Sequence, residues 1–286
     1  MPIGIIGGSG LYDIEGLQVR EERKIETPFG EASGKFIIAE LEGRELVFLA
    51  RHGAGHKLMP HELNHKANIW AMKKLGVESI ISLSAVGSLK EEIKPLDFVL
   101  VDQYVDNTRR ENQTFFGNGA VAHVSLADPV CGDLRSQITS CAQDLFVDEG
   151  IQIHSQGTYL NMQGPAFSTR AESNLYRSWG MDVVGMTNFC EARLAREAEI
   201  CYATVAMVTD YDCWHDVHEA VTVEQVIDNL MKNAARAKQL IKNLIPKLDL
   251  SCEQGCRHAL KSGLLTPFKF IPEETAARMA MVPEWK

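Results

Sequence analysis

The sequence predicts an α/β fold, a β-sheet covered by helices on both faces. Two observations carry that expectation. Short strand-like runs recur along the chain, and stretches with helical periodicity separate them. Two of the runs, at 3–6 and 202–208, are apolar or β-branched almost throughout, as in strands buried on both faces.

In chain order, residues 3–6 form the first strand and run into the glycine turn Gly7-Gly8-Ser9-Gly10. Phe36–Leu41 and Arg44–Ala50 pair as a hairpin across Glu42-Gly43. A helix is expected from about His61 to Lys74, closed by Gly76. Strands follow at Ser79–Ser84 and Phe98–Val105. The aperiodic, Asn- and Gly-rich stretch from Asn107 to His123 is long for a passive connection. Asp133–Glu149 is amphipathic and helical. Strands near Ile151–Met162 and Asp182–Met186 flank a helix at about Thr169–Trp179. A short helix at Glu191–Glu199 precedes the strand Tyr202–Val208. Thr222 and Gln225 form a capping-box pattern opening a long helix that Pro246 stops. The domain expected is 1–250, with 251–286 a C-terminal extension packed on it.

The 286 residues give room for a full enzyme core. A net charge of −9 argues against polyanion binding, so an anionic substrate needs local positive charge. The N-terminus lacks a basic region and reads as a strand rather than a leader. No apolar run approaches membrane-spanning length. Seven scattered cysteines fit free thiols in a reducing compartment, and the expected location is the cytoplasm.

Several short motifs invite chemistry, each beside a plainer reading. The Gly7–Gly10 turn offers backbone N–H groups to a phosphate, or is a simple strand-to-helix turn; it is neither a dinucleotide fingerprint nor a Walker loop. Arg51-His52-Gly53 at a strand end suits an oxyanion, or is a surface Arg beside a capping His. Ser84-Ala85 adds a hydroxyl and an N–H. His61-Glu62-Leu63-Asn64-His65 matches the zinc-protease pattern, with Glu91 or Glu92 as an imaginable third ligand. Asp210 and Asp212 are two carboxylates at a strand end, sharing a site or solvated in an Asx turn. Cys252-x-x-x-Cys256 is half a metal site, a labile disulfide, or two free thiols on a helix, the plainest of the three.

Taken together and in order, the segments Ile5–Tyr12, Thr27–Gly30, Arg51–Gly53, Met59–Ala71, Ser84–Glu92, Gly164–Ser168, Arg170–Ser173, Met186-Thr187 and Thr209–Trp214 resemble the methylthioadenosine phosphorylase branch of the trimeric purine nucleoside phosphorylases. The similarity runs from residue 3 to about 246. It implies a single-domain nucleoside phosphorylase fold with a central mixed β-sheet flanked by helices, assembled as trimers or dimers of trimers. It implies phosphate on Ser9, Arg51, His52, Ser84, Ala85 and Thr187, and ribose near Met186. Purine is implied near Phe167, Ser168, Asp210 and Asp212. His56, Val223 and Val226 fall near the 5′ end of the nucleoside, with His123 reaching it from a neighbouring subunit. The sequence departs from the family pattern at Ser9 and Ser84 (often Thr), Gln163 (usually Glu), Phe189-Cys190 (usually Val-Pro) and His65 (usually aromatic).

The expected reaction is phosphorolysis of a 5′-substituted adenine nucleoside in purine and methionine salvage, with Asp210 as general acid toward N7 and Asp212 holding the 6-amino group or Asp210 itself. Inorganic phosphate is the co-substrate, and neither a metal nor an organic cofactor is called for. The rivals are a 6-oxopurine phosphorylase, which usually carries Asn at the first acidic position; hydrolysis, against which the phosphate donors argue; a zinc protease; and a non-catalytic nucleotide-binding module. Small molecules are the partners expected, with no nucleic acid and no membrane.

Overall fold

The computed structural model describes residues 1–8, 10–109, 113–215 and 223–279, with Val223 described by its backbone alone. Eleven strands form one mixed sheet: β1 (Ile3–Gly7), β2 (Gln18–Arg23), β3 (Phe36–Leu41), β4 (Arg44–Ala50), β5 (Ser79–Ser88), β6 (Phe98–Leu100), β7 (Gln103–Asn107), β8 (Ile153–His154), β9 (Thr158–Met162), β10 (Val183–Gly185) and β11 (Cys201–Tyr211). Helices α1 (His65–Lys74), α2 (Gly132–Phe146), α3 (Arg170–Ser178), α4 (Asn188–Glu197), α5 (Val223–Leu244) and α6 (Glu273–Met279) flank it. This is the expected α/β class, with the mixed sheet at its centre.

Alternation along the strands sorts the core into layers. Ile3 and Ile5 of β1, with Ala203, Val205 and Met207 of β11, face α2 and α5. Ile6 and Tyr202 face the other way, into a cluster with α1, α4 and the tail residues Leu260, Ile271 and Met279. The tail is also tied down by polar contacts: Trp70 Nε1 donates to the Arg278 carbonyl at 2.8 Å.

β5 is the hub. One edge pairs in parallel with β11 along its whole length. The other edge pairs with β1 only through Ile6↔Ser82, and antiparallel β10 joins only at Gly87. Leu83–Val86 therefore carry a ladder on the β11 side alone, which leaves an opening in the sheet.

Several boundaries differ from the sequence reading, each for a tertiary reason. The helix expected from His61 begins at His65, because the Asn64 side chain caps it by accepting from Ala67 N at 3.1 Å. The run at 98–105 is two strands: β6 pairs with β11 and β8, then the chain changes partner and β7 pairs with β9. Strand β2 has no counterpart in the sequence reading. It is exposed throughout, and pairing with β3 holds it at the sheet edge, where its charged residues guard against a further strand. Cys252 and Cys256 lie in a loop and a single 3-10 turn rather than along a helix. The capping residue Thr222 lies outside the described residues.

Candidate active site

β1, β4, β5 and β11 run parallel, so Gly7, Ala50, Ser88 and Tyr211 end along one edge of the sheet. Carboxyl ends of parallel strands are where open α/β sheets build ligand sites. β10 runs the opposite way from Ser88, so its continuation, Met186-Thr187, heads back toward the gap at Leu83–Val86. That register brings Arg51, Ser84, Thr187 and Asp210 around one opening although they are far apart in sequence.

Arg51 is buried at the floor. Its Nε donates to Glu191 Oε1 at 2.5 Å and its Nη1 to the Leu83 carbonyl at 2.9 Å. Its Nη2 donates to Ser82 Oγ at 2.6 Å and to Glu191 Oε2 at 3.1 Å. Burial disfavours both charges of the Arg51–Glu191 pair. The mutual attraction outweighs it, raising the guanidinium pKa and lowering that of the carboxyl. Tyr202 adds a donor to Glu191 Oε2 at 2.9 Å. The guanidinium has five N–H groups, and these contacts commit four, leaving one on Nη1.

Above it, His52 Nδ1 lies 2.8 Å from the Leu58 carbonyl. A carbonyl only accepts, so Nδ1 carries the proton, and neutral His52 presents Nε2 as an acceptor. Burial lowers its pKa, which favours this neutral form. An imidazole in that state accepts from the P–OH of a protonated phosphate rather than donating to it. Ser84 is buried, with its hydroxyl 3.5 Å from Tyr159 Oη. Ala85 is exposed. Thr187 is the N-cap residue of α4, and its side chain makes no capping bond.

The acid pair owes its aim to a β-bulge. The β11–β5 register slips between Val208↔Val86 and Asp210↔Gly87, so Thr209 is the extra residue. Asn229 and Asn233, one turn apart on α5, donate to the Thr209 and Val208 carbonyls at 2.7 and 2.9 Å and brace the slip. Asp210 and Asp212 then flank Gly87: a Cβ added there would meet Asp210 Oδ1 at 3.3 Å and Asp212 Cβ at 3.4 Å. A side chain at 87 would push this approach apart by a few tenths of an ångström. Burial pushes the Asp210 carboxyl up to about 6, against the Thr209 hydroxyl donating at 2.6 Å and helped by the Asp212 charge. Asp212 Oδ2 is buried and meets no hydrogen-bond partner among the described residues. A carboxyl near neutrality beside an unanswered acceptor is equipped to protonate a basic nitrogen and to receive an amine.

The other anticipated residues are distributed around this edge and beyond it. Met186 is half-buried; its carbonyl accepts from Asn161 at 3.3 Å, and its sulfur occupies the space of a Cβ at Gly164, whose φ is +61°. Ser168 is half-buried, while Phe167 stands 85% exposed rather than enclosed. His56 is exposed and stacks on His52 with ring centres 4.4 Å apart. Val226 is half-buried on α5. His123 is exposed, and its backbone pairs with the tail at Gly263 O, 2.8 Å away. Ser9 and the Val223 side chain lie outside the described residues.

The zinc-protease pattern fails on geometry. It needs both histidines on one helix face, but His61 sits in a 3-10 turn and His65 opens α1 after the Asn64 cap. Glu62 turns back to accept from Met59 N at 2.8 Å. The sequence reading missed Glu191 as the partner of Arg51, and the bracing asparagines. The signal available for the latter was Asn at positions 229 and 233, four apart on an otherwise periodic helix.

The family model of the phosphorylase superfamily matches residues 2–246. The S-methyl-5′-thioadenosine phosphorylase of Geobacter sulfurreducens is 51% identical over 281 residues, covering 98% of this chain and 97% of that one. That of Synechocystis is 52% identical over 282 residues, covering 98% and 86%. Among solved structures, a methylthioadenosine phosphorylase from an Antarctic soil metagenomic library superposes with a TM-score of 0.92 at 48% identity, covering 98% of each chain. The Schistosoma mansoni methylthioadenosine phosphorylase in complex with adenine gives 0.82 at 31% identity, covering 100% and 99%. The chain belongs to the phosphorylase superfamily, and within it to the methylthioadenosine phosphorylases. The alignments to these relatives run into the C-terminal tail, which is therefore shared with them.

Proposed function

We propose that the protein cleaves S-methyl-5′-thioadenosine with inorganic phosphate, giving adenine and 5-methylthioribose 1-phosphate. The observation that carries this reading is the opening in the β5 ladder, with a buried guanidinium on one side and an acid pair on the other. A phosphate oxygen attacks C1′ of the ribose while the C1′–N9 bond breaks and its electrons pass to the purine. The sugar is oxocarbenium-like at that point, so the anion both stabilises and captures it. Asp210 delivers a proton to N7 as the base leaves, and Asp212 accepts from the 6-amino group.

In this reading phosphate lies against Ser9, Arg51, His52, Ser84, Ala85 and Thr187. Since most of the Arg51 donors are committed, its role is a fixed positive charge with one N–H to offer, and His52 Nε2 takes the phosphate proton. Ribose lies by Met186, and the purine by Phe167 and Ser168, the exposed ring of Phe167 closing on the base when it binds. His56, Val223 and Val226 surround the 5′ group. An apolar lining there favours methylthio over hydroxyl, because a hydroxyl stripped of water costs roughly 1–3 kcal/mol, about ten- to a hundredfold.

The assembly in this reading is a homotrimer or dimer of trimers, with His123 completing a neighbour's site. Its exposure supports this, as do the apolar residues Val121 and Leu265 exposed beside it on paired backbone. Residues 251–286 act as an extension of the catalytic domain. The free cysteines suit the cytoplasm, and among the described residues no helix is long and apolar enough to cross a membrane.

Incubation with methylthioadenosine, adenosine, inosine and methylthioinosine, with and without phosphate, tests the proposal. Methylthioadenosine should be consumed fastest, only with phosphate, and yield the sugar 1-phosphate. Equal rates without phosphate, with free sugar as product, would make the protein a hydrolase; a preference for inosine would overturn the role of Asp210.

A further inference from the structure

Three separate parts of the chain bring four of the cysteines together. Cys131 is the N-cap residue of α2, Cys201 opens β11, and Cys252 and Cys256 come from the tail. Their four sulfur atoms all lie within 4.8 Å of one another, with Cys131 and Cys252 3.9 Å apart, and no disulfide joins them. Thiolates around one tetrahedral ion, at a metal–sulfur distance of about 2.3 Å, stand about 3.8 Å apart. The spacing fits a single ion and is too tight to enclose a multi-iron cluster.

Buried cysteines often serve merely as small apolar side chains. Here the surroundings argue for more. Cys131 N donates to the Tyr202 carbonyl at 2.8 Å and Cys201 N to the Glu78 carbonyl at 2.9 Å, so two sulfurs hang from fixed backbone. The tail loop is clipped to the start of α2. Gln254 Oε1 accepts from Gly132 N at 2.8 Å, and Asp133 Oδ2 accepts from Glu253 N at 2.9 Å. Gly255, at φ +73°, turns the chain so that Cys256 returns toward Cys252.

We propose that Cys131, Cys201, Cys252 and Cys256 form a closed structural site for one tetrahedrally coordinated divalent metal ion, zinc in the first instance, which fastens the tail to the start of β11 and α2. Four protein ligands leave no open position for substrate. Cys201 and Asp210 are nine residues apart on one extended strand, about 30 Å at 3.3 Å per residue, so the ion takes no part in catalysis. The expectation from sequence that no metal is called for is thereby revised for the fold. The proposal does not depend on which nucleoside is cleaved.

The test uses the untagged full chain, made in zinc-supplemented medium. Elemental analysis should find about one zinc per chain, and titration after denaturation should find all seven thiols reduced. Chelation should lower the thermal midpoint and zinc should restore it, with kcat of the still-folded enzyme unchanged. Cobalt added to the chelated protein should give the visible bands of a tetrahedral tetrathiolate. Cys252→Ser alters a half-buried loop residue, so the fold should persist while those bands weaken or change. Seven thiols with no bound metal after reconstitution would overturn the proposal. So would fewer than seven thiols, the mark of disulfides, or an unaltered cobalt spectrum in Cys252→Ser, which would place the metal elsewhere.

Discussion

The two sides of the strand-end opening handle buried charge in opposite ways. On the guanidinium side, Arg51, Glu191, Ser82 and Tyr202 answer one another with bonds between 2.5 and 3.1 Å. On the carboxylate side, Asp210 has the Thr209 hydroxyl, and Asp212 Oδ2 has no partner among the described residues. A closed network holds its geometry whether or not substrate is present. An under-answered pair stores its unmet capacity for whatever enters. The first side is built for position and the second for chemistry, so substitutions should separate stability from rate.

The largest effect is expected at Arg51. Arg51→Ala strands the Glu191 carboxylate, and breaking a buried pair from one side costs about 3–5 kcal/mol. Urea unfolding should show that loss, and the phosphate KM should rise together with it. A variant as stable as the parent would mean that the network is not what holds this side.

Asp210→Asn should do the reverse. Activity on adenine nucleosides should fall about 10²–10⁴-fold, the range for a lost general acid, with no loss of stability. An Asn side chain can donate to a 6-oxo group but has no proton to transfer to N7, so relative activity on 6-oxopurines should rise. Competition kinetics with methylthioadenosine and methylthioinosine decide it; an unchanged ratio would detach Asp210 from the base.

Gly87→Ala probes how finely the pair is placed. The added methyl presses on Asp210 Oδ1 and Asp212 Cβ at 3.3 and 3.4 Å, and on the buried Val184 Cγ1 at 3.3 Å. A displacement below 1 Å should lower kcat by about 10- to 100-fold while barely moving the unfolding curve. A large stability loss instead would make Gly87 a packing residue of the sheet.

The gentlest probe is pH. If protonated Asp210 is the acid, kcat/KM at saturating phosphate should fall as pH rises above about 6, approaching tenfold per unit. Because the folded pKa lies above the unfolded value, the native state holds the extra proton between about 4 and 6. Its contribution to stability therefore falls as pH rises through that window. Asp210→Asn should abolish the kinetic dependence and only shallow the stability slope, since Glu197, whose carboxyl burial pushes up to about 7, still contributes to it; a kinetic limb that survives in the variant belongs to another group.

What the sequence by itself determined were features written over a few neighbouring residues. The β3–β4 hairpin stands at its expected limits because alternation and the Glu42-Gly43 turn are local signals. Asp210 and Asp212 were legible because two acids closing an apolar strand are unusual wherever that strand lies. The strand β2 escaped notice because pairing, not composition, makes it a strand. Only the tertiary structure decided that Arg51 meets Glu191, 140 positions away, that a one-residue slip at Thr209 turns both aspartates onto Gly87, and that Cys131, Cys201, Cys252 and Cys256 share one place. Each of those depends on register between distant segments. Register is set by the packing of the whole sheet, and no short window of sequence contains it.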